Sequence, residues 1–226
     1  MADMDTHPYH NYLFFDLYND FYQLPKKEQE EQKEEFAKLI TDNKELIIAS
    51  YATLGLKVKT TFMLWCRGKK PEEVQSMLRE LLRTKLGKYL SISYTFFGIV
   101  RNSEYSGRPG KPEQVMQTYE SRMPYFVLYP FTKTTDWHML DFEKRKSIMG
   151  EHIKVGLSHP AIRQCLLYSY GIDDQEFLVS YEMKTLEEFQ ALVIEMRRTV
   201  GRKYTLVDTP TFTCVYKTLP ELITWL

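Results

Sequence analysis

The sequence predicts an α+β protein made of two ferredoxin-like βαββαβ units in tandem, with curved antiparallel sheets forming a barrel-like pair. Three observations predict it. Short runs rich in aromatic and branched residues alternate with charged segments whose apolar residues recur at helical spacing. The order strand, helix, strand, strand, helix, strand is read twice along the 226 residues. A basic stretch rich in glycine and proline, Ser106-Gly107-Arg108-Pro109-Gly110-Lys111-Pro112, separates the two readings. Residues 1–105 therefore form the first half, 106–122 a linker loop, and 123–226 the second half, which carries the candidate site.

In the first half, residues 11–18 read as an aromatic strand. Leu24-Pro25 opens a charged helix over 26–42, with Phe36, Leu39 and Ile40 on one face. Strands follow over 46–54 and 60–66, with Gly55 at the turn. Pro71-Glu72-Glu73 starts a helix in which Val74, Met77, Leu78, Leu81 and Leu82 recur at helical spacing. Residues 89–101 close the half. The second half repeats the order with a strand over 125–131, a helix over about 141–157 and a strand over 162–170. Gly171-Ile172-Asp173-Asp174 then makes a turn, followed by a strand over 176–181, a helix from Leu186 to about Arg197 and a closing strand over 205–216.

Lysine plus arginine and aspartate plus glutamate are 30 each, so the formal net charge is zero. That balance argues against broad nucleic-acid binding, which needs a basic surface. No apolar run reaches the length of a membrane span. The start, Met1-Ala2-Asp3-Met4-Asp5, is polar and acidic, unlike a secretory signal, which points to a cytoplasmic protein. Cys66, Cys165 and Cys214 are isolated and fit neither a zinc pattern nor a disulfide framework; they read as buried thiols. The 16 tyrosines and 13 phenylalanines suit a large core, a ligand pocket or an oligomer interface equally well.

Chemistry concentrates in the second half. His152 has Ile148, Met149, Val155 and Gly156 three and four residues away, so it lies on the apolar stripe of its helix. A neutral imidazole there can ligate iron, and a hydrogen-bonded core histidine fits the same spacing. Tyr129 stands before Pro130 at a strand end, where it can reach a cavity; an ordinary amphipathic strand tyrosine fits as well. Lys133 is a surface lysine until an anion is placed beside it. The sequence has no glycine-rich phosphate loop, nucleophile elbow or zinc motif.

Together these residues resemble the chlorite dismutase family, and most of all its coproheme decarboxylase branch, over nearly the whole chain. Tyr129-Pro130-Phe131-Thr132-Lys133 resembles that branch's Tyr-Pro-Met-Ser-Lys motif. Asp136-Trp137-His138-Met139-Leu140 is similar to its Trp-Tyr-x-Leu segment, and Met149-Gly150-Glu151-His152 to the segment with the proximal haem histidine. Gln164, seven residues before Gly171, matches a distal glutamine. Glu195-Met196-Arg197 and Ser103-Glu104-Tyr105 resemble further family segments.

The resemblance implies a peroxide-dependent oxidative decarboxylation of iron coproporphyrin III to haem b through a tyrosyl radical, with the porphyrin as substrate and cofactor and hydrogen peroxide as oxidant. His152 would be the axial iron ligand, Tyr129 the radical residue, Lys133 the propionate and proton partner, and Gln164 the distal residue. Trp137, Lys203 and Thr211 would contact the porphyrin. A homo-oligomer, a pentamer, is implied too. Gln164 stands where chlorite dismutases carry an arginine, which argues against chlorite conversion. Glu182 falls where some members place a carboxylate that accepts from the proximal histidine. The alternatives are a haem peroxidase and a non-enzymatic haem-binding or structural member.

Overall fold

The computed structural model describes residues 7–101, 103–105, 116 and 119–226. Residues 1–6, 102, 106–115, 117 and 118 lie outside it, and with them the acidic start and most of the 106–122 linker. Contacts divide the described chain into two units. One holds residues 7–99 with Thr213–Leu226, the other Val100–Phe212.

The first unit contains β1 (Tyr9–Leu17), α1 (Lys26–Asp42), β2 (Ile47–Ala52), β3 (Phe62–Gly68), α2 (Pro71–Leu81) and β4 (Leu90–Ile99). Antiparallel pairings give the strand order β4-β1-β3-β2. Alternation puts Leu13, Phe15 and Leu17 on the face of β1 that meets Phe62, Leu64 and Cys66 of β3, with Phe36 and Ile40 of α1 and Val74, Met77 and Leu81 of α2 in the same core. Phe15 and Phe62 pair directly and stack with ring centroids 4.8 Å apart. Fully burying each such side chain contributes about 1.5–3 kcal/mol.

The second unit contains β5 (Tyr125–Lys133), α3 (Thr135–Met139), α4 (Phe142–Leu157), β6 (Arg163–Tyr168), β7 (Phe177–Met183), α5 (Leu186–Met196) and β8 (Thr205–Val207). Its strand order is β6-β7-β5-β8, again antiparallel. Numbered within each unit, both orders read 4-1-3-2, which is the ferredoxin-like arrangement repeated, as the sequence predicts. Gly171 turns the chain between β6 and β7 at φ 69°, a conformation that favours glycine.

Three details differ from the sequence reading. Pro130 does not end β5. The strand runs on to Lys133, because proline costs a backbone donor but keeps an extended φ. The single closing strand expected over 205–216 is two strands, β8 and β9 (Phe212–Lys217). Residues 213–226 group with the first unit: β9 pairs with β2 through Val215–Lys217, and α6 (Leu219–Trp225) sends Leu222 into the first core. The start of α6 carries a capping box between Thr218 and Glu221. The three cysteines are buried and form no disulfide among the described residues.

Candidate functional site

The second unit encloses a cavity of about 1400 Å³, above the roughly 300–1,000 Å³ usual for small-molecule pockets. Its wall follows from strand alternation. Tyr129, Phe131 and Lys133 of β5 line it, with Gln164, Leu166 and Tyr168 of β6 and Phe177, Val179 and Tyr181 of β7. The register places Gln164 opposite Tyr181 and Tyr129 opposite Val179, so these side chains share one face of the sheet.

Helix α4 forms the facing wall. Asp141 caps it, its side chain accepting from the Lys144 backbone at 2.9 Å. Unlike α1 and α2, α4 buries none of its residues, although Ile148, Met149, Ile153 and Val155 stand on its inner side. Met149, His152, Ile153 and Gly156 line the cavity instead. An apolar helical stripe that the rest of the chain covers only in part is the feature most suggestive of a ligand.

His152 meets the cavity with a neutral ring. Burial, reinforced by the Lys133 charge and opposed by Glu151, pushes its pKa down to about 4. Its Nδ1 sits beside Gly201, 3.9 Å from where a Cβ there would be. No hydrogen bond holds the ring among the described residues, so neither ring nitrogen is committed to a protein partner. The described residues contain no group of three or more histidine, cysteine or acidic side chains that could cage an ion. A single imidazole suits a metal that brings its other ligands with it.

Lys133 is held down to about 8, by burial first; Glu176 opposes that shift and Arg202 adds to it. Its Nζ lies 4.6 Å from the centre of the Trp137 ring, a cation–π contact. Trp137 is buried on α3, whose start is capped by Thr134. The Lys133 backbone N–H donates to Glu176 Oε2 at 2.7 Å, and Glu176 Oε1 meets His138 Nε2 at 2.8 Å.

Tyr129 stacks on Tyr181 with centroids 6.1 Å apart, and a side-chain hydrogen bond joins their phenols. Burial raises the pKa of both, and that of Tyr181 further. Six cations line the cavity, Arg101, Lys133, Arg145, Arg163, Arg197 and Arg202, against two carboxylates, Glu104 and Asp208. In a chain of zero formal charge, this is a concentrated anion-attracting surface.

The sequence profile of the chlorite dismutase family matches residues 29–217. The chain belongs to the chlorite dismutase family. It is 24% identical over 181 residues to a coproheme decarboxylase of Mycolicibacterium smegmatis, covering 79% of this chain and 76% of that one. A mutant chlorite dismutase from Candidatus Nitrospira defluvii superposes with TM-score 0.87 at 24% identity, over 96% of this chain and 94% of its own. The same organism's enzyme in complex with imidazole gives 0.88 at 23%, over 98% and 96%. These structures share the fold.

Within this family member, six of the seven side chains singled out from the sequence line one cavity: Tyr129, Lys133, Trp137, His152, Gln164 and Thr211. Lys203 does not; it is exposed on the short 3-10 turn Val200–Tyr204. Glu182 does not face His152. It is fully buried, with Arg122 Nη1 at 3.2 Å and Arg163 Nη1 at 3.5 Å, because alternation turns it away from the face that carries Tyr181. Sequence reasoning missed Tyr181, Glu176 and Arg145. The period-2 pattern of β7 would have placed Tyr181, and the seven-residue spacing from His152 would have placed Arg145 on the same helical stripe.

Proposed function

We propose that the protein carries out the peroxide-dependent oxidative decarboxylation of iron coproporphyrin III to haem b. The observation that carries this reading is the pairing of one neutral, unbonded imidazole with a large cavity lined by six cations. A metal with its own macrocycle needs one protein ligand, and a porphyrin with four propionates needs cations. The partly covered stripe of α4, with Met149, Ile153 and Gly156 lining the cavity, fits the flat apolar face of such a ring. The coproheme decarboxylase relative supports the same substrate class.

The residues divide the work. His152 would hold the iron through its neutral imidazole. Lys133 holds the carboxylate of the propionate that reacts, in a partly dry site where an ion pair is strong. Tyr129, fixed by Tyr181, gives up its phenolic hydrogen and then takes one from the propionate β-carbon; holding the two in contact removes most of the entropy of their encounter. Gln164 offers a neutral amide towards the same cavity. Bound iron would let peroxide act as the oxidant that accepts the two electrons each propionate must lose. Each propionate, with one peroxide and one proton, yields a vinyl group, one carbon dioxide and two waters.

Adding hydrogen peroxide to the protein loaded with iron coproporphyrin III should release one carbon dioxide per peroxide consumed, to two per porphyrin. Peroxide consumption without carbon dioxide would instead favour the haem peroxidase reading.

Lys133 gives this reading a pH dependence. Its amine is protonated below about pH 8 in the ligand-free cavity and loses its charge above it. A propionate binds the charged form and raises that pKa. Affinity for metal-free coproporphyrin is therefore expected to be flat below about pH 8 and to fall as pH rises beyond it. Lys133→Met should flatten the fall, as read by fluorescence titration between about pH 6.5 and about pH 9.5, on either side of the shifted lysine.

A further inference from the structure

We infer that Arg145 is the anchor for one carboxylate of the bound porphyrin, an inference that rests on the porphyrin reading above. The cations of the cavity are not equivalent. Arg202 and Arg197 share Asp208, at 2.7 and 3.5 Å. Arg163 reaches the buried carboxylate of Glu182 and donates to the Ser121 carbonyl at 2.6 Å. Arg101 is exposed and lies over the Tyr168 ring, where water screens it. Lys133 is assigned to the reactive propionate.

Arg145 is the remaining cation. It is half-buried, and its Nε is sealed from solvent without a hydrogen-bond partner. No carboxylate among the described residues pairs with it. Its charge acts on the Tyr105 phenol, whose pKa it lowers against the larger upward effects of burial and Glu104. A half-buried guanidinium that lines the cavity without a carboxylate partner is costly until an anion meets its outer donors; the sealed Nε itself stays out of a ligand's reach. All its donors are fixed in one plane, which matches a carboxylate.

Position selects the ligand. Arg145, Met149 and His152 stand at i, i+4 and i+7 on α4, on one stripe, and all three line the cavity. Arg145 is seven residues, about 10 Å, from His152 along the helix axis. A flat ring held by His152 would extend along this stripe of the helix. Arg145 then lies towards the rim of that ring, where the carboxylates are.

The test compares metal-free coproporphyrin III with its tetramethyl ester, which has the same ring and no charge, by fluorescence titration of the full chain. Arg145→Met should weaken the acid about tenfold or more, the effect of losing a hydrogen bond to a charged group, and leave the ester unchanged. Arg145→Lys should restore part of the acid affinity. The melting temperature of ligand-free Arg145→Met should equal or exceed that of the wild type, because an unpaired, partly buried charge has been removed. Equal loss on acid and ester, no loss on either, or a lower melting temperature without ligand would overturn the inference. If the wild type binds no porphyrin, the functional reading itself fails; if it binds and converts the porphyrin while Arg145→Met matches it, only the role of Arg145 falls.

Discussion

Tyr129→Phe is expected to stop decarboxylation while leaving porphyrin binding intact. The substitution removes one hydroxyl, the atom that would exchange hydrogen with the propionate. The ring keeps its place against Tyr181, whose centroid is 6.1 Å away, and in the apolar cluster with Val127, Val179 and Phe189. The rate should fall by roughly 100-fold at the least, the smallest loss typical of a positioned proton-transfer group, and further if no other residue takes over the hydrogen abstraction. The dissociation constant for iron coproporphyrin should stay within about twofold, since Tyr129 adds no charge to the binding surface. Carbon dioxide release and a Soret titration on the same preparation measure the two quantities. A variant that still decarboxylates at the wild-type rate removes Tyr129 from the chemistry. One that turns over generic peroxidase donors as well as before, yet makes no carbon dioxide, separates the two enzymatic readings in favour of a specific role for the phenol.

His152→Ala is expected to lose affinity for iron coproporphyrin and keep affinity for the metal-free porphyrin. The cavity's cations and its apolar wall remain, so the ring and its carboxylates are still recognised. The metal loses its only protein ligand. Affinity for the iron form should fall at least ~10- to 100-fold, a loss typical even of residues that only support a metal ligand. The Soret band should move away from the wild-type position, and added imidazole should bring it back. Equal affinities of wild type and variant for the iron porphyrin would rule out ligation by His152. The low pKa of the residue, about 4, means that no proton has to leave before a metal binds at neutral pH.

Much of this was legible in the sequence because it rests on local periodicity. The βαββαβ repeat shows in the alternation of β1, β3 and β5 and in the apolar stripe of α2. His152 shows as a stripe residue of α4. What the sequence did not show depends on pairing across strands. Glu182 sits one residue from Tyr181, yet the two point to opposite faces, and only the register with Phe126 and Arg163 settles which side each serves. Arg122, distant in sequence, supplies the nearest cation to Glu182. The fate of residues 205–216 was hidden for the same reason. Thr205–Val207 pairs with β5, while Val215–Lys217 pairs with β2, so one apparent strand serves two units. Lys203 looked like a propionate donor from its place near the last strand, but the short turn that carries it leaves it exposed. Arg145 was missed because a helical arginine is usually a solvated one; the sealed Nε that marks it exists only in three dimensions.

The most direct test of the account is the mass of the porphyrin after the wild-type protein, loaded with iron coproporphyrin III, is given hydrogen peroxide in stoichiometric steps. The account predicts a three-propionate species after the first equivalent and the two-propionate product, haem b, after the second. Porphyrin that stays bound through His152 and keeps all four propionates as peroxide is consumed would contradict it.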